Sequence, residues 1–157
     1  MNAAQKKLLG RAFKHAPYLR PLNKSLLALG GHLVVLWNGN NGIYTVKGLL
    51  DNGRSFDISG LTLQEMEPSQ CHSNVFDLCS KDPSARVLTG YGLSDDGVWR
   101  PHSWCIKDGQ IIETTVPRVA YFGVAPSLEM CRDWLSNDHT NLQGHFGIVY
   151  DDLIRAF

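Results

Sequence analysis

Trp99-Arg100-Pro101-His102-Ser103-Trp104-Cys105-Ile106-Lys107-Asp108-Gly109-Gln110-Ile111-Ile112-Glu113-Thr114-Thr115 is the stretch from which the fold is read. Two apolar, β-prone runs flank Asp108-Gly109, and Asp-Gly in that position signals a two-residue type I′ hairpin turn. If Lys107 pairs with Gln110, Trp104 faces Glu113 and His102 faces Thr115, all on one side of the sheet. His102 and Glu113 then become diagonal neighbours. Their Cβ atoms would be about 7–8 Å apart, a gap that a glutamate and an imidazole can close with a hydrogen bond. An odd-length loop would put the two on opposite faces.

Upstream, Pro68-Ser69-Gln70-Cys71-His72-Ser73-Asn74 leads into a helix expected over about Ser69 to Ser80. Cys71, Val75, Leu78 and Cys79 fall at i, i+4, i+7 and i+8, one face of that helix. Cys71 thus lies in the first turn, where free backbone N–H groups and the positive end of the macrodipole favour thiolate over thiol. A sulfur nucleophile, an imidazole base and a carboxylate that orients it would all come from residues 71–113.

The chain has 157 residues, 43% of them hydrophobic, which suits one domain, 1–157, with a core large enough to need neither disulfides nor metals. Fifteen basic and fifteen acidic residues balance. No run of like charge points to nucleic acid or an anionic membrane as partner. Met1 to Gly10 has no long apolar run after Lys6 and Lys7, and no segment reaches membrane-spanning length, so a cytoplasmic location is expected. In that setting the four cysteines, Cys71, Cys79, Cys105 and Cys131, are expected to stay reduced.

Outside the hairpin the expected fold is α+β: an antiparallel sheet, an N-terminal helical lobe over about residues 1–30, and the Cys71 helix packed on the sheet. Asn2 to His15 and Leu22 to Leu29 read as the helices of the lobe, broken by Pro17 and Pro21. His32 to Trp37, Ile43 to Leu50 and Arg54 to Ile58 read as a β-meander with Gly- and Asn-rich turns. Arg86 to Leu93 and Val119 to Val124 are further strands. Ser127 to Ser136 is a Ser-capped helix, and Phe146 to Tyr150 a last strand.

A cysteine opening a helix, followed by a histidine on one strand and an acid on the next, resembles the papain-like thiol superfamily, above all its transglutaminase-like and NlpC/P60-like branches. The resemblance covers about Gln64 to Thr115 and is one of order and topology. His102-Ser103-Trp104 with the later Glu113 is similar to the His-x-Trp and downstream acid of transglutaminase-like domains. The papain motif around the cysteine is absent, and so is the NlpC/P60 pattern of Asp before and Ser-Gly after it. The resemblance implies attack by Cys71 on a carboxamide or thioester carbonyl, with His102 as base and then acid, and Glu113 holding the imidazole tautomer. It also implies an oxyanion donor beside the Cys71 backbone N–H, for which Gln64 and Gln70 are the candidates. The substrate would be a peptide, a protein or a small amide, and no cofactor is needed. Trp104, Arg118, Tyr121 and Phe122 are expected to bind it, Arg118 through a carboxylate. His72 has at most a supporting role, since adjacent helix residues point about 100° apart.

Two other classes compete. Free cysteine is among the most buried residue types. Cys71 as a packing residue, with Trp37, Trp99, Tyr91 and the other aromatics lining a partner groove, describes a binding module without chemistry. Zinc is a weaker fit, because the cysteines lack C-x₂₋₄-C spacing and His139-x₅-His145 is half a pattern.

Overall fold

The computed structural model describes residue 10 and residues 13–35 and 43–126. Cys131, His139, His145, the expected Ser127–Ser136 helix and the expected Phe146–Tyr150 strand lie outside the described residues, as does most of the Asn2–His15 helix. Among the described residues no helix is long and apolar enough to cross a membrane.

Helix α1, Leu19–Leu29, begins three residues before the expected start. Pro21 is accommodated in its first turn, where a missing N–H costs nothing. Leu19, Leu22 and Leu26, at i, i+3 and i+7, are buried. Gly30 ends the helix at φ 132°, a conformation that L side chains rarely adopt. Strand β1, Leu33–Val34, follows.

Ile43–Asn52 is helix α2, and the expected strand over Ile43–Leu50 is corrected. The strand expectation rested on the β-prone run Ile43-Tyr44-Thr45-Val46. Burial overrides that preference: Val46 and Leu49, one helical turn apart, pack in the same core cluster as α1. The β-meander therefore does not exist. β1 instead pairs in parallel with β5 (Val98–Lys107), and β2, Arg54–Phe56, pairs antiparallel with β7 (Ala120–Val124).

The remaining elements are β3 (Thr62–Leu63), helix α3 (Cys71–Lys81), β4 (Arg86–Leu93), β5 (Val98–Lys107), β6 (Gln110–Glu113) and β7 (Ala120–Val124). The sheet runs β2-β7-β4-β5-β6-β3, with β1 on β5. Most pairs are antiparallel, as expected, but β1 with β5 and β3 with β6 are parallel, so the sheet is mixed. The expected α+β class stands. α1 and α2 share one apolar cluster with Tyr91, Leu93 and Trp99 of the sheet.

The sheet has to curl. Laid flat, six strands at about 4.8 Å spacing would hold β2 and β3 roughly 24 Å apart. The link from Phe56 to Thr62 is six residue steps, reaching at most about 20 Å. Phe56 and Leu61, at the two ends of that link, pack against one cluster formed by Leu88, Trp104, Ile111 and Tyr121. One sheet face thus becomes an enclosed interior. On the other face α3 seats Val75, Phe76 and Cys79 against Val87 and Cys105. Each such fully buried apolar side chain contributes roughly 1.5–3 kcal/mol relative to exposure.

Candidate active site

The site forms where one strand edge is left open. β4 covers one edge of β5 over residues 99–106. The opposite edge is covered by β1 only at 98–99 and by β6 only at 105–107. Into the uncovered stretch comes the N-terminus of α3, led by a segment tied to the end of the hairpin. Gln64 N–H donates to Glu113 O (2.8 Å) and Met66 N–H to Thr114 O (2.9 Å). Ser69 takes a left-handed conformation (φ 62°), and Asn74 Nδ2 reaches back to Glu67 O (2.8 Å). A non-glycine residue held in this region costs of order 1–3 kcal/mol, sustained here by the bonds on either side.

Cys71 is the first residue of α3, and its N-cap, Gln70, makes no side-chain cap. The helix end is thus free to favour an anion. The sulfur interacts with the His102 imidazole and with the Ser103 backbone N–H, on the stretch of β5 that neither β1 nor β6 covers. Burial pushes the thiol pKa up. The His102 hydrogen bond and charge, with the Ser103 amide, outweigh this and set it below its ordinary value.

The hairpin has the expected register: Lys107 pairs with Gln110, Ile106 with Ile111 and Cys105 with Ile112. Asp108 (φ 51°) and Gly109 (φ 79°) make a turn with both central residues left-handed, as type I′ requires. In consequence His102 Nε2 donates to Glu113 Oε2 at 2.7 Å, leaving Nδ1 as the nitrogen that meets the sulfur. His102 is 1% exposed and Glu113 is fully buried. Burial pulls the imidazole pKa down, yet its bonds to Cys71 and Glu113 raise the net value to about 9.

Five donors hold the Glu113 carboxylate. Oε2 accepts from His102 and from Tyr121 OH (2.7 Å); Oε1 accepts from Thr114 N–H, Thr115 N–H and Thr115 Oγ1–H. Burial favours the neutral acid, but the His102 bond and charge and these other donors overcome it and hold the pKa near about 2. Buried beside this anion, Tyr121 has its own pKa raised.

The other expected site residues divide. Tyr121 is not a groove wall: it is 1% exposed and acts on the carboxylate from inside the curled sheet. Trp104 is likewise fully buried, its ring stacked 6.2 Å from that of His102, so it backs the imidazole and is out of reach of substrate. Phe122, next to Tyr121, points to the other face of β7 and packs with the α1 and α2 cluster, away from His102. Arg118 does come close. A β-carbon on Gly92 would stand 2.7 Å from Arg118 Cγ and 3.3 Å from His102 Cδ2, so the missing side chain at 92 lets the arginine stem pass the imidazole. Its Nη1 donates to Ser94 Oγ (2.8 Å). Gln70 precedes Cys71 as the N-cap of α3, and its Oε1 accepts from Ser73 Oγ (3.5 Å). The Gln64 side chain is exposed, and its backbone N–H bonds to the strand that carries Glu113.

His72 serves the interface between α3 and β5. Ser103 Oγ donates to Thr89 Oγ1 (3.1 Å) and accepts from His72 Nδ1 (2.7 Å), so Ser103 is tied to the helix through both its backbone and its side chain. Neither this tie nor the Tyr121 bond was anticipated, because both depend on which elements become neighbours. The Thr114-Thr115 pair after Glu113 did carry a local signal, since threonines bond readily to a nearby carboxylate. Among the described residues no three His, Cys, Asp or Glu side chains group as a metal site requires.

Tyr121→Phe removes one charge-assisted donor and leaves the ring. We expect it to lower stability by about 1.5–3 kcal/mol, measured by urea unfolding. An unchanged midpoint would mean that the hydroxyl does not support the carboxylate.

Comparison with known protein families, with curated proteins and with solved structures found no match for this chain.

Proposed function

We propose that this chain is a cysteine-dependent acyl-transfer enzyme that acts on an amide or peptide-like bond through a Cys71-His102-Glu113 triad, on a papain-like core. The observation that carries the proposal is the buried 2.7 Å hydrogen bond between His102 and Glu113, with the Cys71 sulfur at the helix start interacting with the same imidazole. Its order, with a cysteine opening a helix and a histidine and an acid on adjacent strands, is that of the transglutaminase-like and NlpC/P60-like branches.

In this reading Cys71 and His102 rest as thiolate and imidazolium. The sulfur attacks a carbonyl carbon. The Cys71 backbone N–H and the Gln70 amide receive the developing oxyanion, and the imidazolium gives its proton to the leaving amine. The thioester that remains passes to water, giving a peptidase, amidase or deamidase, or to a second amine, giving a transferase. Glu113 keeps the imidazole in one tautomer and offsets its charge. Arg118 is offered to a substrate carboxylate. The chemistry uses no cofactor.

Iodoacetamide at pH 6.5, followed by mass mapping, tests the thiolate. Cys71 is expected to be alkylated within minutes while buried Cys79 and Cys105 remain free. A screen of acyl donors against a Cys71→Ala control then identifies the bond cleaved. Labelling of Cys71 no faster than an ordinary thiol would instead favour the non-catalytic binding module.

A further inference from the structure

Cys79 and Cys105 are not used by the proposed chemistry, yet their side chains meet at the interface between α3 and β5. Their sulfurs are 3.2 Å apart, nearer than two sulfurs in ordinary van der Waals contact, and both residues are buried free thiols. Cys79 lies two helical turns beyond Cys71 on α3, and Cys105 lies one residue beyond Trp104 on β5. Nothing polar separates them: their surroundings are Val75, Phe76, Ala85 and Val87. Within this apolar pocket the Cys105 thiol also bonds to Val75 O (3.7 Å), which holds its sulfur on the helix side.

We infer that Cys79 and Cys105 form an oxidation site, a dithiol that a small peroxide converts into a disulfide joining α3 to β5. Either sulfur can donate in the contact between them, and the Cys105 S–H also has Val75 O as an acceptor. Cys79, 4% exposed where Cys105 is fully buried, is the sulfur a peroxide meets first and the one that attacks it. Its sulfur attacks one oxygen of hydrogen peroxide as the thiol gives up its proton, the O–O bond breaks, the departing hydroxide takes that proton to become water, and Cys79 is left as a sulfenic acid. Cys105 sulfur then attacks Cys79 sulfur and gives its proton to the departing hydroxyl, so the S–S bond forms as the S–O bond breaks. Overall, two thiols and one hydrogen peroxide give one disulfide and two waters, with two electrons passing from sulfur to peroxide. A peroxide is the fitting oxidant because it is little larger than water, whereas a bulky disulfide has no approach to two buried sulfurs. The bond would join the two elements that supply Cys71 and His102, so oxidation would leave their register intact.

The test treats the full chain, with Cys71 first capped by iodoacetamide, with hydrogen peroxide and maps the digest without reduction. A peptide pair linked through Cys79 and Cys105, two daltons lighter than the free peptides and released by dithiothreitol, is expected. The oxidised protein should unfold at higher urea concentration than the reduced one, and Cys79→Ser should show neither change. Cys79→Ala is the second variant if the serine does not fold. The inference is overturned if both thiols can still be alkylated in urea after peroxide treatment, or if Cys79 proceeds to a sulfinic acid without a link. Both readouts are independent of whether Cys71 is a nucleophile.

Discussion

His102→Ala should slow alkylation of Cys71 at pH 6.5 by about 10- to 100-fold. An ordinary thiol of pKa about 8.5 is only about 1% thiolate at that pH, so a lowered Cys71 pKa can raise the reactive fraction by at most about a hundredfold. Part of the gain is returned, because a less basic thiolate is a weaker nucleophile. The sulfur would keep the helix terminus and the Ser103 amide but lose its main charge partner. The same substitution should change the response of stability to pH. The folded imidazole has a pKa raised to about 9, above its ordinary value, so its contribution is complete below about 6.5 and disappears as pH rises through about 9. The urea midpoint of the native chain should therefore fall across this window, and that of His102→Ala should fall less. Equal alkylation rates with and without His102 would dissolve the proposed ion pair.

Glu113→Ala should destabilise the fold by about 3–5 kcal/mol, the cost of breaking a buried ion pair by removing one partner. His102, Tyr121, two backbone amides and the Thr115 hydroxyl would all lose their acceptor. Against a typical domain stability of about 5–15 kcal/mol this is enough to unfold much of the population. Glu113→Gln separates chemistry from folding. It keeps the shape and one acceptor but turns an amide N–H₂ toward donors and removes the charge that fixes the imidazole tautomer. Turnover should fall by about 10²–10⁴-fold in protein that still unfolds cooperatively. The carboxylate's own pKa, held near about 2, makes its contribution complete above its ordinary value of about 4.3 and lost as pH falls toward 2. Full turnover in Glu113→Gln would leave the acid with a structural role only.

The part of the site that local sequence rules govern was legible. Asp108-Gly109 dictates a two-residue turn, the turn dictates the register, and the register brings His102 and Glu113 together on one face. The apolar spacing of Cys71, Val75 and Cys79 likewise dictates which side of α3 is buried. Sequence rules failed where the outcome depended on tertiary neighbours. Ile43 to Leu50 has both β-branched residues and helical spacing, and the choice fell to the surface offered by α1. Tyr121 was read as a groove residue because nothing local shows that β7 lies beside β4, where its hydroxyl reaches across the interior to Glu113. The tie from His72 through Ser103 to Thr89 spans three elements and has no signature in any of them.

Along β5, the Ser103 amide meets the Cys71 sulfur where a neighbouring strand would offer a carbonyl. Extending β6 so that residue 114 zipped against residue 103 would mend the gap and toughen the sheet, and it would also evict the helix tip that carries Cys71. Rigidity and reactivity thus compete for one amide, so selection for thermal robustness alone should drift toward a sealed and inert descendant.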